Sequence, residues 1–202
     1  MSSPAPSGPP SSGYGAYGKI PALGDFLRVS VDQRFIDPWD RWLQSSLVAG
    51  QAALGDDWQD HYMSAPIWRF TLPPGVCGPF AVQGVMMPSV DRVGRMFPLT
   101  LVSSLPGNPD VRAAHMSAGR QFDALESLAL DALDDTMSRA TLAARLSTLP
   151  APALSHIAAT PGQRHGLWTA QLSDQSICTL TAPAGLPSAP QIVTLFAPRV
   201  TP

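Results

Sequence analysis

Phe80-Ala81-Val82-Gln83-Gly84-Val85-Met86-Met87 runs directly into Pro88-Ser89-Val90-Asp91-Arg92-Val93-Gly94-Arg95-Met96-Phe97-Pro98-Leu99-Thr100, and the reading of this stretch decides the fold. Phe80–Met87 and the segment from Phe97 to Val102 are apolar runs of strand length, so both are expected to be strands. Three of the chain's few charges, Asp91, Arg92 and Arg95, lie between them, on a connection between two pieces of core. A loop held by rigid elements is well placed for recognition. The same residues also read as a surface turn whose Asp91 and Arg95 pair with each other, an arrangement worth roughly 0–1 kcal/mol when exposed. Both readings stay open on chemistry alone.

Working upstream, Ile67-Trp68-Arg69-Phe70-Thr71-Leu72 alternates, which puts Trp68, Phe70 and Leu72 on a core face. Pro73-Pro74-Gly75 turns the chain back, so this segment is expected to pair antiparallel with Phe80–Met87. A short helix is expected over Asp56–Met63, with Asp56 and Asp57 in its first turn and Trp58 and Tyr62 on one inward face. Before it, Asp37 reads as an N-cap and Pro38 as a first-turn residue of a helix carrying Trp39, Trp42, Leu43 and Leu47 at core spacing. The folded part begins near Tyr14, where Tyr14–Ile20 alternates apolar and small residues as a first strand. Pro21 and Gly24 break it, leaving Asp25 and Phe26 on a loop.

Downstream, Leu99–Leu105 is a strand ended by Pro106-Gly107-Asn108-Pro109. Asp110 caps a helical region reaching about Thr136, and a second helix covers Ser138–Leu149. Phe122, Leu125, Ala129, Ala132 and Leu133 form its buried stripe, with Asp123, Ser127, Asp131 and Asp134 on another face. The acids read as a solvated face or as a docking surface. The last 53 residues carry only Arg164, Asp174 and Arg199 as charges. Leu167–Leu172, Ser176–Leu180 and Ile192–Phe196 there read as short strands that complete the sheet. The expected fold is therefore α/β, a largely antiparallel central sheet flanked by helices, with the helical region near 110–149 a possible inserted lobe.

Composition bounds the function. With 202 residues, 45% hydrophobic content and a formal net charge of −2, the chain has a core to bury and no electrostatic grip on nucleic acid or anionic lipid. Cys77 and Cys178 lie about a hundred positions apart, and His61, His115, His156 and His165 are scattered, so neither a disulfide framework nor a zinc site is expected. This composition favours reduced thiols and the cytoplasm. Residues 1–13 read as a flexible Pro/Ser-rich tail without a signal-peptide pattern, and residues 14–202 as one domain. No apolar run is long enough to insert in a membrane. There is no Walker loop, GxGxxG, GxSxG elbow or HExxH, so no catalytic residue, metal or cofactor is expected. Asp25 and Asp91 as an acid/base pair or shared metal site, with Arg95 beside them, is the alternative that would make a hydrolase or small-molecule-binding protein.

Four blocks occur in order: Gly18-Lys19-Ile20-Pro21-Ala22-Leu23-Gly24-Asp25-Phe26, Pro38-Trp39-Asp40-Arg41-Trp42-Leu43-Gln44, Ala65-Pro66-Ile67-Trp68-Arg69-Phe70 and Pro88–Leu99. Together they resemble TagF, the type VI secretion-associated protein family, over residues 14–105. Some relatives join this domain to a serine/threonine phosphatase, for which this chain is too short. The resemblance implies a post-translational negative regulator of type VI secretion, linked to a forkhead-associated scaffold protein and acting by occupancy. The protein partner is expected to be held by Asp25, Phe26, Asp91, Arg92 and Arg95, a set chosen on chemistry because the resemblance itself supplies no contact residues.

Overall fold

The strand pair on either side of Pro88–Pro98 forms the middle of the sheet. In the computed structural model, which describes residues 13–152, 158, 159, 162 and 164–198, β4 (Ala81–Met87) pairs antiparallel with β5 (Leu99–Leu105) along its whole length. Around them lie β1 (Tyr14–Gly18), β2 (Leu27–Val29), β3 (Trp68–Leu72), β6 (Gly166–Ser173) and β7 (Ser176–Ala182). The order across the sheet is β2-β1-β5-β4-β3-β6-β7, every neighbour antiparallel, which is the α/β arrangement expected from the sequence. Residues 1–12 of the expected tail (1–13) lie outside the described residues, as does His156.

Both faces of this sheet are covered, which explains why β4 is buried throughout rather than on alternate residues only. One face carries Trp68, Phe70, Leu72, Val82, Met86 and Val102, packed under α1 (Gln33–Leu54), α2 (Trp58–Ser64) and α6 (Ala189–Phe196). Trp58 and Tyr62 of α2, and Trp39 and Leu43 of α1, are buried there as the spacing predicts. The other face carries Ala16, Val85, Met87, Leu99 and Leu101 under α4 (Gly119–Asp131) and α5 (Arg139–Ser147). The span 110–149 is thus no inserted lobe. It is the second helical layer, and Phe122, Leu125, Leu128 and Ala129 of α4 are core.

Four local readings change. Helix α1 begins at Gln33, capped by Asp32, whose side chain accepts from the Arg34 N–H at 2.8 Å. Pro38 therefore sits inside the helix, where it costs the Arg34 carbonyl its usual donor but leaves the buried stripe Phe35, Ile36, Trp39 and Leu43 in phase. The helix after Asp110 is broken: α3 (Val111–Ser117), capped by Asp110 through the Ala113 N–H, ends at Ala118, and α4 starts anew. Leu133 lies beyond the end of α4 and is 40% exposed, so it leaves the stripe and Leu128 takes its place. Ile192–Phe196 is helical. The Gln191 side-chain oxygen accepts from the Ser188 N–H, a capping box that starts α6 despite the β-branched residues Ile192, Val193 and Thr194.

Candidate functional site

The connection Pro88–Pro98 is a small hairpin extension rather than a floppy turn. Phe97 N–H donates to the Ser89 carbonyl at 3.0 Å, Val90 bridges Met96, and Asp91 N–H donates to the Arg95 carbonyl at 3.1 Å. Gly94 takes φ +83° at the tip, a conformation other residues adopt at a cost. Tyr62 of α2 fixes the base, donating to the Ser89 carbonyl at 2.8 Å and accepting from its N–H at 3.1 Å.

Asp91 is the lock of this hairpin. One oxygen accepts from the backbone N–H groups of Val93 at 3.1 Å and Arg95 at 2.9 Å; the other meets Arg95 Nε at 2.6 Å and Lys19 Nζ at 3.0 Å. Burial alone would raise the carboxyl's pKa. The Arg95 N–H, the Lys19 ammonium, the Arg95 guanidinium and the Val93 N–H together outweigh it and hold the group well below the usual carboxylate range. Asp91 is only 2% exposed, so it cannot be one of the accessible contact residues the sequence suggested. Charges that close a loop against its own backbone look, in sequence, the same as charges offered to a partner.

The first loop is tied to this hairpin from the other side. Arg92 N–H donates to the Leu23 carbonyl at 2.9 Å, Arg92 Nη2 to the Ala22 carbonyl at 2.8 Å, and Arg95 Nη2 to the Gly24 carbonyl at 2.8 Å. Phe26 closes the joint, stacked on Tyr17 at 5.9 Å and edge-on to Phe97 at 4.8 Å, with the Lys19 ammonium 5.1 Å from its ring. Asp25 stays exposed, one oxygen accepting from the Phe26 N–H at 2.7 Å. Of the five expected residues, the structure thus leaves Asp25, Phe26, Arg92 and Arg95 at the surface and withdraws Asp91. It also brings out Val93, 71% exposed beside Arg92, which no pattern of charge or turn residues marks.

The hydrolase alternative loses its geometry here. Both oxygens of Asp91 are committed to structural donors, and Asp25 bonds its own neighbour instead of sharing a proton or ion with it. A cleft of about 660 Å³ does open where α2, β6 and α6 meet, lined by residues including His61, Gln171, Leu172 and Phe196. None of Asp25, Asp91 or Arg95 reaches it. Cys77 is a buried free thiol whose pKa burial pushes up to about 12, an inert core residue as its context suggested.

A second cluster went unread because its members are far apart in sequence. His115 of α3 faces β3 and β6, with Nδ1 2.9 Å from Thr71 Oγ1 and Nε2 2.9 Å from Thr169 Oγ1. Gln83 joins it, donating to Thr71 Oγ1 at 3.1 Å and to the Ala114 carbonyl at 3.2 Å. Burial, with the charge of Arg69 adding to it, holds the imidazole pKa down to about 4. Arg69 itself reaches over Phe122 to Glu126, both bonds at 2.7 Å, and to Asp123 at 2.9 Å. This ties β3 to α4 and consumes one of the acids read as a docking face.

Comparison with known proteins agrees with this architecture. A crystal structure of PA0076 from Pseudomonas aeruginosa PAO1 superposes with a TM-score of 0.77 at 34% sequence identity, covering 94% of this chain and 97% of that one. A comparison with curated proteins finds no match. The family model described as the TagF N-terminal domain, type VI secretion system-associated, matches residues 15–149, a span that contains α1, β2 to β5, all of β1 but Tyr14, and both loops of the locked joint. The chain belongs to the TagF N-terminal domain family, which is associated with type VI secretion.

Proposed function

We propose that this protein is a negative regulator of type VI secretion that works in the cytoplasm by binding a forkhead-associated scaffold component and withholding it from assembly. Membership of a secretion-associated family supports the pathway. The observation that carries the mode of action is the locked joint between residues 19–26 and 88–98, which pins its charged side chains by internal bonds while leaving Phe26 39% and Val93 71% exposed. A rigid platform that offers an aromatic ring and an aliphatic side chain beside arginines has the makings of a protein contact, because little ordering entropy remains to be lost on binding. Regulation by occupancy needs only enough copies to saturate the partner. No turnover is part of this reading.

Overproduction in cells that carry an active secretion apparatus tests it. Export of a secreted tube component should fall, and affinity purification of the chain should recover the forkhead-associated protein. Phe26→Ala and Val93→Asp, if still folded by circular dichroism, should restore export. Unchanged export on both deletion and overproduction would overturn the regulatory reading.

A further inference from the structure

Three arginines grip alternate carbonyls of one short loop. Arg92 donates to Ala22, Arg95 to Gly24, and Arg139, from the first turn of α5, to Phe26 at a longer 3.4 Å. A chain of five residues spans at most about 18 Å even when fully extended, so these guanidiniums follow a single narrow strip. Their acceptors are neutral. Among the described residues Arg92 and Arg139 have no carboxylate partner, and the one carboxylate that Arg95 meets, Asp91, is already matched by Lys19. The joint therefore holds four cations, Lys19, Arg92, Arg95 and Arg139, against the two carboxylates of Asp25 and Asp91, in a chain of net charge −2. Asp40 is engaged elsewhere, accepting from the Tyr17 hydroxyl at 2.6 Å, and neither Asp37 nor Asp40 pairs with Arg92, Arg95 or Arg139 among the described residues.

We infer that this strip receives an acidic segment of the protein partner, with its carboxylates against Arg92 and Arg139 and an apolar side chain on Phe26 and Val93. The inference rests on the reading that the locked joint is the contact surface, and adds the chemistry of what docks there. A guanidinium that keeps one edge on a backbone carbonyl is pre-oriented and presents its remaining N–H groups outward, the geometry suited to bidentate carboxylate recognition.

The photo-reactive residue p-benzoylphenylalanine placed at Val93, and separately at Phe26, in the full chain tests this in cells with an active secretion apparatus. The cross-linked partner peptide, sequenced by mass spectrometry, should carry more Asp and Glu than Lys and Arg around the attachment point. Arg139→Glu, whose single long bond makes it the mildest change to the loop, should lower the yield about tenfold. Arg92→Glu should lower it at least as much, and raising salt should weaken capture in the parent chain. A neutral or basic peptide, or a yield indifferent to both reversals in folded protein, overturns the acidic segment while leaving the contact surface in place. No product at either position in cells where overproduction suppresses export removes the contact surface itself, and this inference with it.

Discussion

Asp91 and His115 are both buried ionisable groups, and their surroundings push them to opposite charge states. Asp91 is kept ionised by four donors, so Asp91→Asn should lower the melting temperature at neutral pH and leave the Lys19 ammonium, 7% exposed, without its carboxylate. Amide exchange at Val93 and Arg95, which donate to that carboxylate, should quicken in the variant; unchanged exchange and melting would make the lock decorative. Because its folded pKa is held below the ordinary carboxylate value of about 3.8, the stabilisation is present above that pH and is lost as the pH falls through and below it. His115 is kept neutral instead, its pKa lowered from 6.5 to about 4. An unfolded chain takes up that proton first, so folding stability attributable to His115 is intact above pH 6.5 and drains away between 6.5 and 4. At 1.36 kcal/mol per unit the loss is roughly 3 kcal/mol. Urea unfolding at pH 7 and pH 4 should show a larger drop for the parent chain than for His115→Gln by about that amount, and equal drops would rule the account out.

Among the elements, what was legible followed from pattern length and what was missed followed from its absence. β4 and β5 each carry seven residues rich in apolar side chains, and their ends fall within a residue or two of the reading. β2 has three residues, Leu27-Arg28-Val29, too few for any period to register. α6 was hidden because Ile192-Val193-Thr194 favours strand, while the signal that decided it was the cap at Ser188 and Gln191. The site was legible as to place, since both loops were marked by Pro, Gly and charge, but not as to which charges face inward. Gly18 shows how closely the two loops are fitted. Its φ is +132°, and a Cβ there would stand 2.0 Å from the Pro98 carbonyl oxygen. Gly18→Ala should therefore cost more than about 1 kcal/mol in chemical denaturation and separate the first loop from the hairpin. A neutral result would mean that the approach of β1 to Pro98 is looser than drawn.

At the scale of the whole molecule, the family match ends at residue 149 while the core does not. Trp168 of β6 lies parallel to Trp39 of α1 at 5.9 Å and 5.1 Å from Phe70, and its indole N–H donates to the Gly185 carbonyl. Trp68 donates to the Leu195 carbonyl of α6 at 2.8 Å, across 127 positions of sequence, and Phe196 packs edge-on to Trp58 at 4.9 Å. Without β6, β7 and α6 the face that carries Trp39, Trp68 and Phe70 would stand open to water, and each such large side chain contributes roughly 1.5–3 kcal/mol by its burial. A domain has only about 5–15 kcal/mol in all. A chain cut after Leu149 should consequently fail to fold, giving insoluble protein or a state without near-ultraviolet dichroism, although it retains every residue of the family match. Trp168→Ala in the full chain is the gentler version, expected to cost about 3–5 kcal/mol in urea unfolding. Should the truncated chain melt cooperatively with its tryptophan dichroism intact, the C-terminal strands and helix would be an appendage, and the joint between the two loops would owe them nothing.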